Sequence, residues 1–175
     1  MIELVEGNLL EANADALVNT VNTEGVMGKG LALQFKTKFP EMFEEYHRAC
    51  QAGEVRPGRM HIVERREMFR PRYIINFPTK RQWRFPSRME DIEAGLRALA
   101  GDIERLHIRS IAIPPLGCGN GGLDWNQVLP KIQSALGPLP DLHVFVFQPQ
   151  TIPGAQQQRT SEAAGKRRLS LQRTS

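Results

Sequence analysis

Two stretches constrain this chain more than any others: VNTVNTEGVMGKGLALQFK, Val18 to Lys36, and PPLGCGNGGLDW, Pro114 to Trp125. Each follows a short apolar, β-branched run, passes through several glycines, and enters a segment with helical periodicity. A plain strand-to-helix connection needs one capping residue and at most one glycine to take a positive φ. Repeated glycines instead let a backbone approach a ligand closely, and the helix that follows aims its free N–H groups at the same space. In open α/β sheets ligands bind beyond the C-terminal ends of the strands. Two such connections in one chain therefore predict a strand-end crevice for an anionic ligand.

The remaining pattern supplies the sheet. Strands are expected at Ile2–Val5, Ala16–Val21, Met60–Glu64, Tyr73–Phe77, Ser110–Ile113 and Leu142–Phe147. Helices are expected over Met27–Phe39 and over Pro40–Ala52, with Pro40 in a tolerant first turn. A long amphipathic helix runs from an N-cap at Ser87, with Glu90 three residues on, to about Leu106. The last helix spans Asp124–Leu136, and Pro130 is expected to set its first turn apart. Strands alternating with helices at these lengths predict an α/β sandwich around a mixed, largely parallel sheet.

The segment from Gln150 to Ser175 is polar and has no sustained period, so residues 1–149 read as one domain and 150–175 as a flexible basic tail or linker. That tail holds five basic residues and one acid, which accounts for the whole net charge of +4 and leaves the domain neutral. The high isoelectric point thus says nothing about the site. No apolar run approaches a membrane span, and the acidic N-terminus has no signal pattern. Cys50 and Cys118 form no close-spaced motif, so a cytoplasmic, reducing setting is expected, with no membrane contact.

Gly117, Gly119 and Gly122 match G-x-G-x-x-G, the dinucleotide fingerprint. Its context is wrong: the match lies in the last strand–helix unit, behind two prolines, and the acid about twenty residues on, Asp141, begins a strand instead of ending one. Neither stretch contains the Walker pattern G-x-x-x-x-G-K-[ST]. The residues alone reach a phosphorylated or nucleotide-like ligand. For either loop taken singly, a simple turn explains the glycines equally well.

GNLLEANADALVNTVNTEGVMGKGLALQFK, INFPTKRQWR and PPLGCGNGGLDW, in that order, resemble macrodomains, the three-layer α/β/α modules that bind ADP-ribose. The likeness is to the DarG-type branch, antitoxin enzymes that remove ADP-ribose from thymidine bases in DNA, and it covers roughly residues 1–148. It implies that Asn8 and Leu9 hold the adenine, with an amide where many members have an aspartate. It implies further that Asn22 lies beside the distal ribose. Gly25, Val26, Met27, Gly28 and Gly30 would form the first phosphate loop, and Leu116, Gly117, Cys118, Gly119, Asn120 and Gly121 the second. The residues alone also allow Asn22 to be an Asx-turn former.

The same resemblance places the catalytic lysine at the Thr79-Lys80 pair, with ADP-ribose as ligand, no cofactor and no metal. Lys80 could stabilise the charge developing on a leaving thymine, act as a nucleophile, or relay protons; the electrostatic role is preferred. A related branch carries an aspartate where this chain has Gly121, which leaves water activation to Asn22 or to the substrate. Asp124 reads as a helix N-cap, with Gln127 completing a capping box.

Arg65, Arg66, Arg70, Arg72, Arg81, Arg84 and Arg88, interleaved with Phe69, Trp83 and Phe85, form a basic and aromatic run around Lys80. That composition suits single-stranded nucleic acid, with Arg81, Trp83, Arg84 and Arg88 the expected contacts; a solvated basic loop is the plainer alternative. The expected function is a hydrolase of ADP-ribosylated single-stranded DNA, acting in DNA repair as an antitoxin. The alternatives are a hydrolase of ADP-ribosylated protein or small derivatives, and a non-catalytic reader. A cognate ADP-ribosyltransferase toxin is expected to be engaged through a further C-terminal region, of which only a short tail is present.

Overall fold

The computed structural model describes residues 1–150; the tail expected beyond them lies outside the described residues. Strands covered on both faces read as continuous apolar runs. β2 (Ala16–Val21) and β4 (Tyr73–Pro78) approach this, interrupted by the buried Asn19 and Asn76, where Asn19 Nδ2 donates to Asn76 Oδ1 (3.1 Å), and only Thr20 among their residues is partly exposed. With β1 (Ile2–Val5), β3 (His61–Glu64), β5 (Ser110–Ile113) and β6 (His143–Phe147) they form one six-stranded sheet in the order β1-β6-β5-β2-β4-β3. Every pairing is parallel except that of β3 with β4, so the sheet is mixed and largely parallel, as expected.

Four helices cover the two faces. α3 (Met89–Arg105) and α4 (Trp125–Leu136) bury Leu96, Leu99, Val128 and Ile132 against Val18, Ile75, Ile111 and Val144. α1 (Gly30–Lys38) and α2 (Pro40–Gln51) bury Phe35, Met42 and Tyr46 against Leu17, Val21, Ile74 and Ala112. The alternation Val18/Leu17 and Ile75/Ile74 sends neighbouring side chains to opposite cores, as the two-residue period of a strand requires. The result is a three-layer α/β/α sandwich.

The topology places the site. β2 and β5 are adjacent and parallel, yet the chain leaves β2 for α1 on one face and leaves β5 for α4 on the other. Such a parting of connections opens a crevice at the strand ends. Both glycine stretches lie there.

Several boundaries differ from the sequence expectation. α1 starts at Gly30, not Met27, because Met27 turns inward as a fully buried anchor and Lys29 is extended (φ −158°, ψ 168°). The cap of α3 is Arg88, not Ser87, whose N–H donates to Gly121 O at 2.9 Å and whose hydroxyl caps no helical N–H. Asp124 does cap α4, but its Oδ1 accepts from Asn126 N–H (2.9 Å), so the box with Gln127 is not formed. Pro130 lies inside a continuous α4 and does not divide it. A short 3-10 turn at Leu9–Glu11 was not foreseen.

The basic run is also divided. β3 is antiparallel to β4, so the connection 65–72 lies at the opposite end of the sheet from Lys80. There Asp15 gathers the chain, accepting from Arg109 N–H and Ser110 N–H (both 3.0 Å) and pairing with Arg70. Arg72 pairs with Glu64 and Arg65 with Glu67. The arginines at 65–72, with Phe69, therefore do not contribute to a surface beside Lys80.

Gly95 of α3 sits against the fully buried Phe77 ring, and a methyl group there would overlap it. Overpacking costs about 1–3 kcal/mol, which exceeds the gain in helix propensity of about 1 kcal/mol. Gly95→Ala should therefore lower the urea midpoint; a raised midpoint would show that Phe77 has room to shift.

Candidate functional site

The loop after β2 is built around Asn22. Its Oδ1 accepts from Glu24 N–H (3.0 Å) and Val26 N–H (3.3 Å), and its Nδ2 donates to Val26 O (2.8 Å). Tyr46 of α2 donates its hydroxyl to Asn22 O (2.8 Å) and Oδ1 (3.0 Å). Asn22 thus forms the Asx-type turn, and one amide hydrogen remains for a ligand. Burial pushes the Tyr46 hydroxyl pKa far up, so it stays a donor. Gly25 has φ +83° and lies so close to α2 that a Cβ would stand 2.9 Å from His47 Nδ1. Val26, Gly28, Lys29 and Gly30 are exposed at the crevice, with Met27 beneath them.

The loop after β5 approaches the first where a Cβ on Gly30 would lie 3.8 Å from Asn120 Nδ2. Leu116 is buried, Gly117 takes φ +70°, and Gly119 and Asn120 face outward. A Cβ on Gly121 would overlap Gly117 O and Ser87 Oγ, so no carboxylate can stand at that position in this loop. Cys118 bonds to Leu116 O (3.4 Å), and burial with the charge of Asp124 pushes its thiol pKa up to about 11. It is no ready nucleophile.

Residues 79–88, after β4, strap the two loops together. Thr79 N–H and Lys80 N–H both donate to Val21 O (2.9 and 3.3 Å). Thr23 holds Arg81 O through its N–H (3.2 Å) and its Oγ1 (2.6 Å), and Glu24 Oε2 accepts from Trp83 N–H (2.9 Å). On the other side Ser87 N–H meets Gly121 O. The Lys80 ammonium spans the gap, donating to Asn120 O at 2.7 Å and to Trp83 O at 3.4 Å. Partial burial and the nearby charge of Lys29 push its pKa below the usual lysine value.

Asn8 and Leu9 lie at the far end, where a cleft of about 340 Å³ is also lined by Leu31, Pro115 and Phe147. Asn8 Oδ1 accepts from Leu10 N–H (3.1 Å), which leaves its amide hydrogens and one lone pair for a base. A larger cleft of about 830 Å³, between the α1–α2 junction and β3, contains none of the expected site residues; the chemistry argues for the smaller one. Among the described residues, no group of three His, Cys, Asp or Glu side chains could hold a metal ion, and no helix is long and apolar enough to cross a membrane.

The structure brings together Asn22, Gly25–Gly30, Thr79, Lys80 and Leu116–Gly121, with Asn8 and Leu9 in the adjoining cleft. Arg81 is paired with Asp91 (3.2 Å), so its charge is partly spent. Sequence reasoning missed Thr23 and Glu24, although the polar run Asn-Thr-Glu was a signal, and it missed Tyr46, for which nothing local gave one.

A sequence profile of the Macro domain family matches residues 18–132. The DNA ADP-ribosyl glycohydrolase of Thermus aquaticus is 54% identical over 155 residues, covering 89% of this chain and 43% of that protein. The chain therefore spans less than half the length of the curated DNA ADP-ribosyl glycohydrolases it matches. The solved macrodomain of Mycobacterium tuberculosis DarG is 51% identical, with a TM-score of 0.85 over 86% of this chain and 99% of that one. Thermosipho africanus DarTG, solved in complex with ADP-ribose, is 34% identical, with a TM-score of 0.79 over 89% of this chain and 44% of that one.

Removing the Tyr46 hydroxyl should cost about 1–2 kcal/mol, since it leaves the buried Asn22 carbonyl short of a donor. Urea unfolding of Tyr46→Phe measures this, and an unchanged midpoint would contradict the anchoring role. Lys29→Gln should raise the Lys80 pKa towards the ordinary lysine value, so that its ammonium persists to higher pH. NMR titration of the Lys80 side chain would contradict this if the pKa fell or stayed.

Proposed function

The chain belongs to the Macro domain family, and from that premise we propose that it is a DNA ADP-ribosyl glycohydrolase, removing ADP-ribose from thymine bases of single-stranded DNA. One observation carries the reading: the Lys80 ammonium stands between two glycine loops, 2.7 Å from Asn120 O, on a strap that turns Trp83 and Arg84 outward. The name borne by relatives at 52–54% identity supports DNA as the substrate. A reader of ADP-ribose has no use for a cation at that point.

In this reading the adenine occupies the cleft of Asn8, Leu9 and Phe147, and the diphosphate lies between the loops. Exposed backbone at Gly28–Gly30 and Gly119–Asn120 receives its oxygens, and the remaining Asn22 amide hydrogen faces the distal ribose. The anomeric carbon then lies next to Lys80. The carbon–nitrogen bond breaks with its electron pair passing to the thymine ring, where the Lys80 cation offsets the negative charge. A water adds its oxygen to the anomeric carbon, and the proton it loses ends on the ring nitrogen. The depressed Lys80 pKa also suits it to pass that proton on. Gly121 has no room for a carboxylate and Asp124 is spent as a cap, so the protein supplies position and charge in preference to a strong base. No metal or cofactor enters this reading. The protein acts as the antitoxin to a cognate ADP-ribosyltransferase toxin, in a reducing cytoplasm where its two cysteines stay free.

Lys80→Met should lower turnover of thymidine-ADP-ribosylated DNA by about 100-fold or more, the effect of losing one preorganised charge-stabilising group. Its ADP-ribose affinity, measured by calorimetry, should stay within a few-fold; full activity in a folded variant would overturn the assignment. DNA turnover should also fall steeply as salt rises, through loss of phosphate contacts, while free ADP-ribose binding changes little. Equal salt dependence of the two would argue against a DNA surface.

A further inference from the structure

We propose that Trp83 and Phe85 form a stacking platform for the nucleotides flanking the modified thymine, so that the enzyme acts on a modified oligonucleotide in preference to the modified nucleoside. The inference rests on the glycohydrolase reading and adds to it what surrounds the target base. Trp83 is 43% and Phe85 60% exposed, two aromatics within one short connection beside Lys80. Their backbone is nonetheless fixed. Trp83 N–H is held by Glu24, Phe85 N–H donates to Gln82 O (3.2 Å), and Trp83 O accepts from Lys80. A side chain presented from a fixed backbone loses little entropy on binding.

Position supplies the occupant. The Trp83 backbone carbonyl is one hydrogen bond from the ammonium assigned to the reacting centre, so residues 83–85 flank the place of the target thymine. The Arg84 guanidinium lies 4.9 Å from the Trp83 ring centre, covering one face and leaving the rest of the ring for a base. Among the described residues, Lys29, Arg84 and Arg88 make no ion pair, whereas Arg81 is tied to Asp91. Unspent cations for phosphates and aromatic faces for bases are the two parts of a single-strand surface. Bases released from pairing offer both faces to an aromatic ring, which favours a single strand over an intact duplex.

The test uses single-stranded oligonucleotides bearing one ADP-ribosylated thymine with increasing numbers of flanking nucleotides, the modified nucleoside, and the longest strand annealed to its complement. For the wild type, kcat/KM should rise over the first flanking nucleotides and then level off, and annealing should lower it. In Phe85→Ala the ratio of long-strand to nucleoside kcat/KM should fall about 5- to 150-fold, the range for losing one base–aromatic stack. Phe85→Trp should restore it. A wild-type kcat/KM that is flat with strand length, or a Phe85→Ala loss equal on nucleoside and long strand, overturns the platform. Release from no DNA substrate at all overturns the glycohydrolase reading instead.

Discussion

Everything in this molecule follows from the parting of two chains that leave neighbouring parallel strands for opposite faces of one sheet. The loops that leave the ends of β2 and β5 meet there, with exposed glycines at Gly28, Gly30 and Gly119. Backbone N–H groups at such a parting are obligatory donors with few partners of their own, which is what a diphosphate requires. The packing of the loops calls for glycine as well. Gly25 packs against His47, and Gly121 has no volume for a side chain at all.

A glycine-rich loop is costly to order, so the fold spends its polar side chains on holding these two. Asn22 and Tyr46 secure the first loop from within and from α2, while Thr23 and Glu24 secure the strap. Ser87 ties the strap to the second loop. Lys80 then stands at a point determined from three sides, and a cation positioned in advance needs no reorganisation when charge appears. Its partial burial and its neighbour Lys29 both disfavour the charged form, which makes its proton more available than that of a surface lysine.

The sheet was legible because short apolar runs such as Leu17-Val18 and the β-branched Ile74-Ile75 carry their own signal, and alternation with helices implied parallel pairing. The meeting of the two loops at the strand ends was legible through their glycines, and the place of Lys80 between them only through a resemblance, since no local pattern marks that lysine. Three failures share a cause. Met27 looked helical but faces the core, Ser87 looked like a cap but bonds a distant loop, and the arginines at 65–72 looked continuous with Arg81 but lie at the other end of the sheet. Each was decided by a partner far away in the chain, about which periodicity is silent. Tyr46 is the same case in reverse, with Asn22 as its distant partner.

The central claim is that this clasp and its lysine act on ADP-ribose attached to DNA. Incubating the protein with thymidine-ADP-ribosylated single-stranded DNA beside glutamate-ADP-ribosylated protein, and following free ADP-ribose from each, tests it most directly. Release from the DNA, with the unmodified strand regenerated, is the result expected here; release from the protein alone would contradict it.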